Sequence, residues 1–521
     1  MIVSFEHTLK AYSALKWLEP LPQGLACPCA FGKDIIFAKS GLFENVISRF
    51  NRSGKIDKSL KTELFYSAVE AYSELSGKRG KATAELTRNE PHGYKIALSG
   101  SGEEGENLLI KFSFKAPEFL IVGGKLYNSW DNFKPIAIEG YNGNIFAGQV
   151  NCGAVLEVFG NRKIAVNKTE QGIELIISSL TDFDIDISFT PFKEFDFSGF
   201  TAYSSNSGKG GALKLKRAKC KGVNYLMLSE MHKINSYKSL ESAVSKIHKH
   251  GVGAVIPLDS SLKEMRYEDA LGLSVHDISK LKDFNFIASS ANFLVENLAC
   301  DGFLIEAGGE ASQSDFKAIS VATATKKGRK AISVLSTGSS VLDSSSYLPY
   351  ADKAVIKDQV SNTPYELLAL NSGFLYGVEA LATCVSSPIL LPLTGMRLAP
   401  KTLGFKSRSA VKINKIFNNF LNGEAKIFGF WDNANPFTAD RAEIRVTSYI
   451  SGGNAVVIIY NESDKKCEFD IGVNPRKGFT LLGKKVKMPY ISGVQFRGKT
   501  DFNSAIVLGG KKGIVLTVQS K

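Results

Sequence analysis

The sequence predicts a multidomain chain in which two all-β pieces flank a central (β/α)8 TIM barrel. Three observations carry this. The 521 residues exceed what one hydrophobic core supports, so several domains are expected. Up to about residue 195, and again from about residue 435, apolar and polar residues alternate between Gly, Asn and Asp turns, which is the period of half-buried strands. Between these two regions short apolar strands alternate with helical patterns, the signature of a parallel sheet with crossovers. The expected domains are an N-terminal β-sandwich at 1–195, the barrel at 196–434 and a small C-terminal β-sandwich at 435–521.

Composition narrows the class. Hydrophobic content of 44% and charged content of 22% are those of an ordinary globular protein, and 47 glycines with 34 phenylalanines favour β structure and loops. The net charge is +13, but the lysines are scattered, with the densest clusters at Lys326, Lys327, Arg329, Lys330 and at Lys511, Lys512. No basic stripe interleaved with aromatics is read, so no nucleic-acid partner is expected. The first residues, MIVSFEHTLKAYSALKWLEPLP, place Glu6 and His7 early and do not form a secretory signal. No run of about 18 apolar residues occurs, so no membrane span is expected. The seven cysteines are mostly far apart, and Cys220, Cys300 and Cys384 sit in apolar contexts, as buried free thiols do. A reduced, cytoplasmic setting follows. Cys27-Pro28-Cys29 lacks a second ligand pair at zinc spacing, so no metal is expected.

The N-terminal strands include YKIALSG, NLLIKFSFK, FLIVGG, AVLEVFG and IELIISS, interrupted by one helical passage from about Lys58 to Leu75. The glycine-rich SGSGEEGEN (99–107) joins two alternating strands rather than a strand and a helix, so it reads as a hairpin connection and not a phosphate loop. The barrel begins at SGFTAYSSN, followed by a short helix GGALKLKRAKCKG and by VNYLMLSEMH, a second strand ending at Glu230. Helix SYKSLESAVSKIHKH turns Leu240, Val244 and Ile247 to one face. Its His248 and His250, with Gly251 beyond, are ordinary stop signals that need no catalytic explanation. GVGAVIPLD is the third strand and ends at Asp259. A helix then runs into LACDGFLIEAGGE (298–310), whose strand GFLIE delivers Glu306 just where small residues begin. AISVLSTGSS is the fifth strand, ADKAVIKD the sixth, ending at Asp358, and ALATCVSSP and ILLPLT are the seventh and eighth. Acids at the C-terminal ends of parallel strands are candidates for an active site, because a barrel opens its site there. The C-terminal strands (IRVTSYIS, NAVVIIYN, KCEFDIG, GFTLLG, AIVLGG, GIVLTVQ) are assigned no chemistry.

Taken together, the order of pieces resembles the α-galactosidase and raffinose-synthase group of glycoside hydrolases, over roughly residues 197–395. LSVHDISKLKDFNFIASSANFLVENLACDGFLIE is similar to that group's run into its nucleophile strand, with Glu306 where the group carries an aspartate. STGSSVLDSSSYLPYADKAVIKDQVSNTPYELLALNSG resembles its glycine-rich loop, sixth strand and acid/base aspartate, which falls at or beside Asp358. TCVSSP resembles a later loop with histidine at the Cys384 position, and Ser229-Glu230 stands where the group has paired aspartates. The departures are Leu304 for a lysine, Val341 for an arginine near the surviving Asp343, and serines for most of the loop glycines.

The resemblance implies retaining hydrolysis of an α-linked sugar by two carboxyl groups about 5–5.5 Å apart. Glu306 is the expected nucleophile and Asp358 the acid/base, with Glu230, Asp259, Asp343 and Cys384 lining a carbohydrate site and no cofactor required. Trp431 and Trp130 read equally as sugar platforms and as core or rim residues. Three readings stay open: a retaining glycosidase, a catalytically silent barrel that binds carbohydrate or organises an assembly, and a transglycosylase or other barrel enzyme. The sugar, the linkage and the oligomeric state are not legible.

Overall fold

The computed structural model describes residues 2–6, 37–38, 69–73, 79–88, 94–101, 108–115, 118–128, 133–149, 152–170, 172–179, 182–190, 195, 202–206, 223–229, 237–257, 294–295, 298–307, 331–338, 340–398, 408–421, 425–499, 502 and 504–520. Contacts divide the chain into two compact units, Met1–Phe195 with Leu375–Gly377, and Asp196–Phe374 with Val378–Lys521.

Among the described residues the first unit holds one hydrogen-bonded sheet of twelve strands. Its ladders are antiparallel except where Ile2–Glu6 runs parallel to Leu108–Lys115. Phe119 to Val122, Ile145, Phe146, Leu156, Val158, Ile164 and Leu175 are buried, and this burial holds the sheet together. Two expectations are corrected here. The helix read from Lys58 to Leu75 has its first part outside the described residues, and Val69–Ser73 within it is a strand. That strand pairs with Arg79–Arg88, and VEAYS carries the β-branched and aromatic residues that suit a pleated surface. Nor do 99–107 close a hairpin. Tyr94–Ser101 is flanked by Arg79–Arg88 and Asp182–Thr190, whereas Leu108–Lys115 lies beyond Val69–Ser73. Seven register pairs to Asp182–Thr190 and eight from Leu108–Lys115 to Gly172–Ser179 win over a local pairing.

The second unit is built on eight parallel strands: β1 (Ala202–Asn206), β2 (Tyr225–Ser229), β3 (Gly253–Pro257), β4 (Gly302–Glu306), β5 (Ile332–Thr337), β6 (Lys353–Gln359), β7 (Glu379–Cys384) and β8 (Arg397–Leu398). They pair in sequential order, β1 to β8, in a sheet curled as a half-barrel. Sequential order is barrel topology, because a doubly wound sheet reverses direction at its switch point. Among the described residues no pair joins β8 to β1. The expected eighth strand is corrected: Leu390–Leu393 within ILLPLT is a short helix, and the strand comes later at Arg397–Leu398. Pro392 has no N–H to give a ladder but is tolerated in a helix's first turn.

Helix α1 (Tyr237–His248) buries Leu240, Val244 and Ile247, and Gly251 at φ +62° follows its end. His248 Nε2 lies 2.7 Å from Asp301 Oδ2, which also accepts from Ala254 N–H at 2.8 Å, so the imidazole ties α1 to the turn before β4. One sheet face gathers Met227, Val255, Val334, Val355 and Leu381 in an apolar cluster, with Leu304 packed against it. The next residues toward the strand starts on β6 and β7 are Lys353 and Glu379, a buried ion pair at 3.0 Å. Beyond α2 (Leu390–Leu393), the buried Arg397 sits 4.6 Å over the Phe417 ring of α3 (Arg408–Phe420) and donates to Asn418 Oδ1. Burial lowers its guanidinium to about 10, while nearby Glu379 pulls the other way.

The C-terminal sheet comprises β9 (Lys426–Phe428), β10 (Ile444–Ser451), β11 (Asn454–Asn461), β12 (Lys484–Met488), β13 (Gly498–Lys499) and β14 (Gly513–Ser520), in the order β9-β10-β11-β14-β12-β13. One face covers a core that includes Val446, Val457, Leu516 and Phe469. The other meets α2, where Thr447 Oγ1 donates to Leu393 O at 2.7 Å and the Tyr449 hydroxyl to Pro392 O.

Candidate active site

Strand β4 explains how Glu306 reaches the rim. Phe303 and Ile305 are fully buried on one face, and Leu304 packs on the inner cluster of the other. Glu306 therefore follows Leu304 onto the inner face, paired in register with Ser336. Ala307 N–H donates to Ser336 O at 2.8 Å and closes the ladder there.

The neighbour that meets this carboxylate was not foreseen. Lys357 Nζ donates to Glu306 Oε1 at 2.6 Å, with both side chains about half or more in solvent (49% and 66%). Lys357 lies two residues beyond Val355 and so shares the inner face of β6, reaching across β5. The signal was present in AVIKD: a cation directly before the candidate acid, in phase with an inward valine. Asp358 is exposed beside it. Consecutive residues of a regular strand point to opposite faces, but the register of β6 on β7 shifts between Ile356 and Gln359. That irregularity lets Lys357 and Asp358 both reach the rim. Gly338 supplies the room: a Cβ there would stand 3.2 Å from Asp358 Oδ2.

The serine-rich loop after β5 is stapled from within. Thr337 Oγ1 donates to Ser340 O, Ser344 Oγ to Thr337 Oγ1, and Ser340 Oγ to Leu370 O. Val341 is fully buried in this loop, so the position that carries an arginine in the resembled group is core here. Asp343 is solvent-exposed, yet the protein crowding one side of it raises its carboxyl above the usual range by desolvation. Its exposure keeps that effect modest.

Glu230 and Asp259 lie outside the described residues, just beyond the ends of β2 and β3. Cys384 ends β7, in register with Gln359, and its side chain is outside the description. Trp130 and Cys220 also lie outside it, as do Cys27 and Cys29. Trp431 is a packed ring, edge-on to Phe374 at 5.0 Å and to Phe430 at 4.9 Å, and a Cβ on Gly429 would clash with its indole. Cys300 is a buried free thiol, and burial pushes its pKa far up, which makes it inert. Among the described residues no cluster of His, Cys, Asp or Glu is arranged to hold a metal, and no helix is long and apolar enough to cross a membrane.

Residues 409–519 match the family described as Glycoside hydrolase 123, C-terminal domain. A search of curated proteins matched none to the chain. Solved structures similar to it include a noncanonic maltogenic α-amylase from Thermotoga neapolitana, at TM-score 0.38 and 10% identity, covering 62% of this chain and 99% of that one. An α-amylase from Geobacillus thermoleovorans, complexed with acarbose, gives 0.40 and 11%, covering 63% and 100%. A family 27 β-L-arabinopyranosidase from Geobacillus stearothermophilus, in complex with arabinose, gives 0.35 and 12%, covering 62% and 98%. The chain carries a C-terminal domain of glycoside hydrolase type, and the match does not single out an α-galactosidase or a raffinose synthase.

Proposed function

We propose that the chain is a glycoside hydrolase-like protein that cleaves an α-linked sugar with retention of configuration, using Glu306 as nucleophile and Asp358 as acid/base. The observation that carries this is the contact of Glu306 with Lys357 at the C-terminal ends of β4 and β6, with Asp358 next in sequence. An ammonium 2.6 Å from the carboxylate holds it by a charge-assisted hydrogen bond at the strand end, where a nucleophile must be positioned. Lys357 thus supplies the charge that Leu304 and Val341 do not. The glycoside hydrolase type of the C-terminal domain supports the same reading.

In this mechanism the Glu306 carboxylate attacks the anomeric carbon while Asp358 gives its proton to the departing glycosidic oxygen, leaving a glycosyl ester on Glu306. Water then attacks the same carbon, Asp358 takes its proton, and Glu306 is released as carboxylate. Glu230, Asp259, Asp343 and Cys384 line the sugar site, the partner is a carbohydrate, and the setting is cytoplasmic. No metal or organic cofactor takes part. A second reading, a barrel that binds sugar without turnover, draws support from Val341 and Leu304, which stand as apolar packing where the resembled group places cations.

The test combines hydrolysis of aryl α-glycosides with calorimetric titration of mono- and oligosaccharides. Glu306→Gln and Asp358→Asn each lower turnover at least a thousandfold with sugar binding retained. Melting moves little, because an exposed pair contributes about 0–1 kcal/mol. Undiminished turnover in Glu306→Gln refutes the assignment. Binding without any turnover in the wild type refutes the hydrolase and leaves the binding protein.

A further inference from the structure

The three strands that meet at the candidate site turn polar at corresponding positions. On β4, β5 and β6 the inward residues Leu304, Val334 and Val355 belong to the apolar cluster, and the next inward residues are Glu306, Ser336 and Lys357. Glu306 and Lys357 are accounted for by their contact at 2.6 Å. Ser336 is not. Strand β5 lies between β4 and β6, so the ion pair spans the strand that carries this serine.

Ser336 is 1% exposed, and among the described residues its Oγ has no hydrogen-bond partner. Burying a hydroxyl in that state is unfavourable, and alanine would occupy the position without the penalty. Its neighbours Thr337, Ser340 and Ser344 all use their hydroxyls. Ser336 stands in register with Glu306 on the same face, one strand spacing of about 4.8 Å away. Lys357 takes Glu306 Oε1, and no described residue donates to Oε2. A hydroxyl without an acceptor thus sits beside a carboxylate oxygen without a donor.

We propose that Ser336 is a positioning residue for Glu306: when the hydroxyls of a bound sugar draw off Lys357, the carboxylate turns inward and accepts from Ser336 Oγ–H. This deepens the reading of Glu306 as nucleophile, and its kinetic part rests on that reading. One carboxylate oxygen is then held by a charge-assisted hydrogen bond, and the other faces the anomeric carbon. The sugar-free chain leaves the hydroxyl unpaired because the bond is made only with substrate in place. A bond of that kind raises turnover rather than affinity.

Ser336→Ala melts no lower than the wild type, since it removes a hydroxyl that bonds nothing in the sugar-free chain. On an aryl α-glycoside its kcat falls about 10–100-fold while KM holds, and Ser336→Thr restores most of the loss. A second measurement needs no turnover. With glutamate 13C-labelled at its side-chain carboxyl, the Glu306 resonance is identified by its loss in Glu306→Gln and followed at fixed pH without sugar. Lys357→Met releases the carboxylate to Ser336, so adding Ser336→Ala to that variant moves the resonance, whereas Ser336→Ala alone leaves it in place. A wild type that hydrolyses no aryl α-glycoside removes the hydrolase reading, and the resonance then decides whether Ser336 serves Glu306. The inference is overturned by one resonance common to Lys357→Met and the double variant, by lower melting of Ser336→Ala, or, in an active wild type, by an unchanged kcat in Ser336→Ala.

Discussion

Glu379→Gln tests whether the inner face of the parallel sheet is sealed below the candidate site. Glu379 and Lys353 are 1% and 5% exposed and meet at 3.0 Å, joining the starts of β6 and β7. Arg397, 2% exposed on β8, feels the same carboxylate. Replacing the carboxylate by an amide keeps the shape and leaves two buried cations facing a neutral group. Breaking a buried pair by removing one partner costs about 3–5 kcal/mol, because the remaining charge keeps its desolvation penalty. At about 2 °C per kcal/mol, the low end of the scale that applies to large units, melting falls by roughly 6–10 °C. Lys353→Met costs less, since Arg397 still faces Glu379. Thermal and denaturant unfolding followed by near-ultraviolet circular dichroism reads both variants. A loss below about 1 kcal/mol in Glu379→Gln means that water reaches the pair and that the sheet is open at its base. The consequence reaches the rim, because Lys353, Val355 and Lys357 share one face of β6, so the buried pair fixes the register in which Lys357 emerges beside Glu306.

Two further outcomes are expected. Asp343 titrates above its usual range through desolvation, so it stabilises the fold only while protonated, and that contribution is lost as pH rises from the ordinary aspartate value through the raised native one; Asp343→Asn therefore melts higher than the wild type above that window and equally below it, and an unchanged difference across a melting series from about pH 3 to 7 refutes the assignment. In Gly302→Ala the new methyl meets Ile332 Cγ1 at 2.5 Å and Ile332 O at 2.6 Å, so β4 must move from β5 at a cost of about 1–3 kcal/mol; denaturant unfolding that matches the wild type means the strands already sit further apart.

What the sequence made legible is what local period controls. GFLIE and ISVLST are short apolar runs between turn signals, and their strand ends follow from where the apolar residues stop. Helix α1 was legible for the same reason, with its apolar face at Leu240, Val244 and Ile247 and its stop at Gly251. The misreadings share a different cause. ILLPLT carries a strand's hydrophobicity, but Pro392 cannot give a ladder hydrogen bond, and the packing of Leu390–Leu393 against Thr447 and Tyr449 suits a helical turn. The connection at 99–107 looked local because its flanking strands are adjacent in sequence, whereas the edges they would share are taken by other strands: Tyr94–Ser101 lies between Arg79–Arg88 and Asp182–Thr190, and Leu108–Lys115 pairs with Ile2–Glu6, Val69–Ser73 and Gly172–Ser179.

The site itself was half legible, and the missing half is instructive. Sequence comparison position by position asks whether a given residue is present, so Leu304 and Val341, where the resembled group carries a lysine and an arginine, read as a site short of positive charge. A parallel sheet offers another solution, because alternate residues of any neighbouring strand reach the same space. Lys357 does so from β6, across β5, and brings its ammonium to 2.6 Å from Glu306 without occupying either of those positions. Charge around a strand-end carboxylate is a property of the rim and not of a position in the chain. A motif's missing cation therefore counts against activity only after the inward positions of the adjacent strands have been read.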